Sequence, residues 1–330
     1  MKAIQFSRTG GPEVLEVVEL PMPVPGPGEV LIKSHAIGVS MPEVLVRRGD
    51  YAWMPPLPAI PGIEMSGVVA AAGPDATRLA IGQPVFVTAR EFKIRGGCYA
   101  EYLVADETKV FPLPAEVDLD EAAALANYQV AWHLLHTATS GFRYQSVLVI
   151  GAGGGIGSAI VQLAKLEGKR VIAVDRSAGK AAFAVAQGAD AAIDGSRENM
   201  IEEVKRATGG AGVDLVLDPL GGKSTEANFD CLAPFGTLVL YGFLEGPPGA
   251  GILEAMKKPP QRSLAFRSFT MHTLDGMPER RKSATQELVQ LLAERRIRPA
   301  IFERLPLTEA RRAHELLESG KVLGKLIMKP

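Results

Sequence analysis

The residues best placed to do chemistry are a run of clustered glycines. Gly151-Ala152-Gly153-Gly154-Gly155-Ile156-Gly157 follows the apolar run Val147-Leu148-Val149-Ile150 and opens a helix-like stretch, Ser158 to Leu166. A strand, glycine turn and helix in that order suit a dinucleotide pyrophosphate. Glycine lets the backbone approach the anion, and the exposed N–H groups and helix dipole favour its charge. The best register is Ala152-x-Gly154-x-x-Gly157, a variant of G-x-G-x-x-G with Ala in first place. Ala152, Gly153, Gly154, Gly155, Ile156 and Gly157 are therefore the expected phosphate-binding set. Asp175 ends the next apolar run, 20 residues after Gly155. A carboxylate there can accept hydrogen bonds from the adenosine ribose and repel a 2′-phosphate, which leans toward NADH. Arg176 points the other way, since its guanidinium can pair with that phosphate or stack on adenine. Lys180 is a further candidate for the adenosine side, or a solvated helix charge. Gly221-Gly222-Lys223-Ser224 resembles the end of a P-loop, but the first glycine of that motif would fall on Leu217, so it reads as a turn and helix start.

The elements that must position these residues are legible as alternating runs. From Ser146 onward, short apolar strands (Val147–Ile150, Val171–Val174, Ala191–Ile193, Leu215–Leu217, Leu238–Tyr241) alternate with helical segments, the pattern of βαβ units on a parallel sheet. The first hundred residues differ. They are rich in Pro and Gly, with short β-rich runs such as Glu29 to Lys33 and Gly67 to Ala71, and read as a loop-rich β domain. After Pro259 the chain returns to mixed strand and helix, ending in an amphipathic helix, Thr308 to Ser319, and a strand, Lys325 to Met328. That tail is expected to rejoin the first domain. The expected division is residues 1–122, 123–262 and 263–330, the last completing the first. The fold class is α/β.

Composition excludes several other classes. At 330 residues the chain is long enough for two cores. Its net charge of −1, with both signs interspersed, lacks the basic footprint of a nucleic-acid binder. Cys98 and Cys231 form no C-x-x-C pair, which argues against a disulfide scaffold or zinc ribbon and favours a reducing cytoplasm. The uncharged stretch Val147 to Ala164 is broken by the glycine turn, so no membrane span is expected. His133 and His136, three apart on a predicted helix, lack supporting ligands and read as structural. The charged segment Glu279 to Lys282 reads as the start of a solvated helix lying on the core.

Several further motifs follow one another in a specific order: Gly38-Val39-Ser40, Arg48-Gly49-Asp50-Tyr51, Pro61-Gly62-Ile63-Glu64-x-x-Gly67, Gly97-Cys98-Tyr99-Ala100-Glu101-Tyr102, the glycine turn, and Gly324-Lys325-Leu326-Ile327. With them the chain resembles the zinc-independent quinone oxidoreductases of the medium-chain dehydrogenase/reductase superfamily over nearly its whole length. The resemblance implies a GroES-like β-rich domain built from both chain ends, plus a Rossmann doubly wound parallel sheet. It also implies an NADPH or NADH cofactor and a homodimer formed through the edge of the Rossmann sheet. Superfamily alcohol dehydrogenases hold a catalytic zinc at positions that match Ser40 and Ile63, neither of which supplies a thiolate or imidazole, and Gln83 to Gly97 lacks the cysteines of a structural zinc lobe. No metal is expected.

Without a Lewis acid, hydride transfer needs an acceptor that spreads the developing charge over its own π-system, such as a quinone or an α,β-unsaturated carbonyl. The resemblance makes Tyr51, beside the nicotinamide, a hydrogen-bond donor to substrate or cofactor, or a wall of the pocket, with Trp53 lining the same cleft. Ser40 stands where the family commonly carries Asn, and Glu43 where it often carries Asp. A lone hydroxyl cannot make an amide's two-sided contacts, a departure that bears on substrate geometry and quinone specificity. The family also places Tyr241, Gly242 and Phe243 along the nicotinamide, and Thr270 and Met271 near its carboxamide end. Three other readings compete with this one. A short-chain dehydrogenase needs Tyr-x-x-x-Lys, which no tyrosine here provides. An enoyl-thioester reductase would need a basic groove larger than Lys257, Lys258 and Arg262. A non-catalytic, crystallin-like relative would carry the same binding motifs.

Overall fold

The structure is a computed structural model that describes residues 1–258 and 260–330. The chain forms two compact units, one made of Met1–Ala126 with Thr285–Pro330 and the other of Asn127–Ala284.

In the first unit, β1 (Lys2–Gln5) and β2 (Glu16–Glu19) pair antiparallel, and a separate seven-stranded sheet begins with β3 (Glu29–Val39), β4 (Glu64–Ala72), β5 (Pro84–Thr88), β6 (Tyr102–Asp106) and β7 (Val110–Pro112). β3 is long enough, at 11 residues, to hold β4 along one edge and two other strands on its opposite ends. One of those is β6, which pairs residues 29–33, and the other arrives from the far end of the chain. The apolar residues Ile32, Ile37, Met65, Val85 and Val87 make a common core with Phe6 and Tyr99. Burying each such side chain contributes about 1.5–3 kcal/mol.

The second unit is built on a six-stranded parallel sheet: β8 (Ser146–Ile150), β9 (Arg170–Asp175), β10 (Ala191–Asp194), β11 (Val213–Asp218), β12 (Leu232–Leu240) and β13 (Ala265–Ser268). Their order is β10-β9-β8-β11-β12-β13, so chain direction across the sheet reverses between β8 and β11. That reversal opens a crevice at the carboxyl ends of the strands, where open α/β sheets take their ligands. β8, β9 and β11 are almost wholly buried, as parallel strands covered on both faces must be.

β13 corrects the expected division at residue 262. It hydrogen-bonds in parallel to β12, Thr237 opposite Ala265 through Leu240 opposite Ser268, so residues 263–284 belong with the parallel sheet. The tail rejoins the first unit only from Thr285. There β14 (Ile301–Pro306) pairs with β15 (Lys325–Lys329), and β15 lies antiparallel against Ile37–Val39 of β3. The front boundary also shifts, from 122 to 126. Both joins fall inside helices, Leu125–His136 and Pro278–Ala293, and not in the irregular segments by which a linker is usually recognised in sequence.

Candidate functional site

The glycine turn sits at the carboxyl end of β8, and the helix Gly155–Leu166 starts immediately after it, with Gly154 as its N-cap. No side chain caps that helix, so its first N–H groups remain available to an anion. The helix packs Ala159, Ile160, Val161, Leu163 and Ala164 inward. Gly157 makes that packing possible. A Cβ there would meet the Gly151 carbonyl oxygen at 2.2 Å and the Ala152 Cα at 2.6 Å, closer than any side chain tolerates.

Asp175, at the end of β9, folds inward instead of facing solvent. Its Oδ2 accepts the Gly153 N–H at 2.8 Å and its Oδ1 accepts the Arg176 N–H at 2.7 Å, while the Lys180 ammonium lies 3.5 Å from Oδ1. The carboxylate therefore stitches β9 to the glycine turn, and Lys180 offsets its charge. The Arg176 side chain is exposed, 3.6 Å from Glu245 in the loop after β12. Ser177 caps the next helix, Ala178–Ala186, by accepting the Lys180 N–H.

The remaining expected cofactor residues line the same edge of the sheet. Tyr241 N–H donates to the Asp218 carbonyl at the end of β11, and burial raises the Tyr241 hydroxyl well above the usual tyrosine range, so it stays protonated. Gly242 runs against Pro219, and Phe243 is exposed. Thr270 follows β13 and caps a short turn through the His272 N–H, with Met271 buried beside it. The parallel sheet thus gathers residues 151–157, 175–180, 241–243 and 270–271 at the carboxyl ends of its strands. These fit a dinucleotide: unsatisfied helix donors for a pyrophosphate, and two cationic side chains for its adenosine end.

Ser40 belongs to a polar cluster inside the first unit. It occupies the N-cap of the helix Met41–Arg48, yet its hydroxyl makes no capping bond. It donates instead to Glu64 Oε1 at 3.1 Å and accepts from the Lys325 ammonium at 2.6 Å, while Lys325 also pairs directly with Glu64 Oε1. Glu64 Oε2 accepts the Ala126 N–H at 3.0 Å. Gly38, one strand position from Val39, makes room for this arrangement, because a Cβ there would meet Glu64 Cγ at 2.5 Å and the Ala123 carbonyl at 2.6 Å. Glu43 completes the group. Its Oε1 accepts the Ile63 N–H at 3.1 Å, and its Oε2 has no hydrogen-bond partner among the described residues. Burial pushes its carboxyl up to about 8, with Glu64 adding to the rise and Lys325 opposing it.

Zinc does not fit this cluster. Ile63 brings no donor atom, and the Ser40 oxygen already holds a cation, the Lys325 ammonium. Among the described residues no three His, Cys, Asp or Glu side chains are grouped to hold a metal ion. His133 is buried with Nδ1 at 2.9 Å from Thr137 Oγ1, and His136 pairs with Glu167 at 3.1 Å. Tyr51 is positioned by other contacts: half-buried on the core of the first unit, its ring lies 5.8 Å from that of Trp53, over which Arg95 sits at 5.4 Å.

Glu64 and Lys325 lie within sequence motifs that by themselves assign them no role. The available signal was a charged residue at the head of an otherwise apolar strand in both Glu64-Met65-Ser66-Gly67-Val68-Val69 and Lys325-Leu326-Ile327-Met328. A buried charge of that kind needs a partner of opposite sign.

Two family models match the chain: an alcohol dehydrogenase GroES-like domain over residues 26–115 and a zinc-binding dehydrogenase over residues 187–328. The chain is similar to the quinone oxidoreductase of Pseudomonas aeruginosa, 33% identical over 330 residues, covering 100% of this chain and 99% of that protein. It is also similar to human quinone oxidoreductase, 29% identical over 334 residues, covering 99% and 97% of the two chains. Among solved structures, Escherichia coli quinone oxidoreductase complexed with NADPH superposes with a TM-score of 0.87 at 29% identity, and an NAD-dependent alcohol dehydrogenase with 0.89 at 32%, each covering both chains fully.

Proposed function

Because this chain belongs to the quinone oxidoreductase family of the medium-chain dehydrogenase/reductase superfamily, we propose that it is a metal-free reductase of quinones and α,β-unsaturated carbonyl compounds that prefers NADPH. When bound, the nicotinamide supplies the hydride. The chain's own residues bind, orient and stabilise charge. The N–H groups at the start of the helix Gly155–Leu166 hold the pyrophosphate. Arg176 and Lys180 hold the 2′-phosphate. Asp175 does not oppose it, because its oxygens are taken by Gly153 and Arg176 N–H groups and its charge is offset by Lys180. Tyr51 and Ser40 are the polar groups offered to the acceptor.

The observation that carries the choice of acceptor is the Lys325–Ser40–Glu64 cluster, which puts an ammonium where a metal-dependent relative would need donor atoms. An acceptor that delocalises its own charge needs no Lewis acid, and a nearby hydrogen-bond donor with positive charge suffices. The same reading makes the protein a cytoplasmic homodimer; its two buried free thiols suit a reducing compartment, and the exposed edge strand β13 suits pairing between copies. No helix among the described residues is long and apolar enough to cross a membrane.

The test is oxidation of NADPH and NADH by purified protein with 1,4-benzoquinone, 9,10-phenanthrenequinone and a short enone, before and after EDTA. We expect turnover that chelation leaves unchanged and that is faster with NADPH. Cofactor binding without turnover of any acceptor would remove the reductase reading, and a preference for NADH would remove the roles given to Arg176 and Lys180.

A further inference from the structure

The buried cluster of the first unit holds more chemistry than orientation requires. Hydride delivery to a carbonyl or quinone leaves an oxygen anion, and the net reduction consumes a proton. Within the cluster the mobile protons are those of the Ser40 hydroxyl, the Lys325 ammonium and the Glu43 carboxyl. Ser40 is its most exposed member at 9%, against 2% for Lys325, 1% for Glu43 and 0% for Glu64. The outer end of the chain of hydrogen bonds is therefore Ser40, and Lys325 lies behind it at 2.6 Å. The Ser40 hydroxyl can turn from Glu64 to an acceptor oxygen while still accepting from Lys325.

On the reductase reading above, we propose that Lys325 is a positioning and proton-supplying residue, which through the Ser40 hydroxyl protonates the acceptor oxygen left anionic by hydride transfer. The balance is simple. The Ser40 O–H bond breaks as the acceptor O–H bond forms, and a Lys325 N–H bond breaks as the Ser40 O–H bond is remade. The two electrons come from the bound reduced nicotinamide. Lys325 is left as a neutral amine beside the Glu64 carboxylate, and recovers its proton from solvent through Ser40 once the product has gone. Before transfer, the ammonium also offsets charge growing on the acceptor, the part a metal ion would otherwise play. Glu43 fits this arrangement because its buried carboxyl stays protonated, so the neighbouring Lys325–Glu64 pair is balanced and carries no surplus negative charge. The other groups facing the two carboxylates are the Cys98 thiol and the Tyr99 hydroxyl, both raised well above their ordinary ranges by burial and therefore neutral.

The test compares wild type, S40A, S40T and the charge-neutral pair K325M/E64Q, with an enone and with 1,4-benzoquinone, in H2O and D2O. Cofactor affinity is read separately by NADPH fluorescence. General acid catalysis is worth about 10²–10⁴-fold. We expect S40A and K325M/E64Q to bind NADPH as wild type does and to lose at least about 100-fold in kcat toward the enone, together with its solvent isotope effect. The loss should be smaller toward the quinone, whose hydroquinone anion is more stable. S40T, which keeps the hydroxyl, should restore most of the rate. Wild-type kcat and isotope effect in S40A would overturn the relay, and so would a loss of NADPH binding that accounts for the lost rate. S40A leaves the ion pair in place, so it decides the matter even if the double variant fails to fold. Wild type that turns over no acceptor would instead overturn the underlying reductase reading, and the relay with it.

Discussion

Lys325 and Glu64 form a buried ion pair, and such pairs respond asymmetrically to substitution. Removing one partner strands the other charge in a poorly solvated site, at a cost of about 3–5 kcal/mol, whereas replacing both by neutral groups of similar size is close to neutral. K325M should therefore lower the denaturation midpoint sharply, and K325M/E64Q should recover most of the loss. Equal destabilisation by the single and double variants, read by urea titration, would mean that the pair is not coupled. The same residues show where reading a sequence stops. Ser40 was identifiable from its motif, but the hydroxyl's partners lie 24 and 285 positions away, and only the packing of β15 against β3 brings Lys325 beside it. Asp175 was likewise identifiable by position. The direction of its side chain, turned onto the Gly153 N–H, was not, because that depends on the approach of the glycine turn to the end of β9.

At the scale of elements, the parallel sheet was legible because its strands are short, apolar and separated by helices. β13 was not, since Ala265-Phe266-Arg267-Ser268 is an edge strand with only Phe266 turned inward, and its polarity hides it. The strand–turn–helix unit was the most legible element, and it is also the least tolerant. In G157A the new methyl group would press on the Gly151 carbonyl and drive the helix Gly155–Leu166 away from β8. We expect the variant to weaken NADPH binding by at least about tenfold, each factor of ten being about 1.4 kcal/mol, because displaced donors no longer converge on the pyrophosphate. Unaltered affinity in a fluorescence titration would show that the helix start does not hold the cofactor.

For the whole molecule, two buried groups set opposite limits on stability. The Glu43 carboxyl has a folded value of about 8 against an ordinary 4.5. Below pH 4.5 it is protonated in both states, and as pH rises toward 8 only the unfolded chain releases the proton, so stability is lost on the alkaline side. His314 lies between the Tyr99 hydroxyl at 3.2 Å and Arg47 at 3.4 Å; burial, with Arg47 adding to it, holds its value down to about 3 against an ordinary 6.5. As pH falls through that window the unfolded chain takes up a proton that the folded chain refuses, and stability is lost on the acid side. Denaturant midpoints should therefore peak at mildly acidic pH, and E43Q should flatten the alkaline limb while leaving the acid limb as it is. An alkaline limb of the same slope in E43Q would assign it to other groups.

The first unit is assembled from residues 1–126 and 285–330, and its buried polar cluster draws on positions 40, 64 and 325. During synthesis the ribosome makes every residue of the dinucleotide-binding sheet before it makes β15. Glu64 must then wait, without its counter-charge, for nearly the whole chain to emerge. The order of translation thus lets every residue of the parallel sheet be made before the Lys325–Glu64 pair can form, so the first unit is expected to complete its fold last.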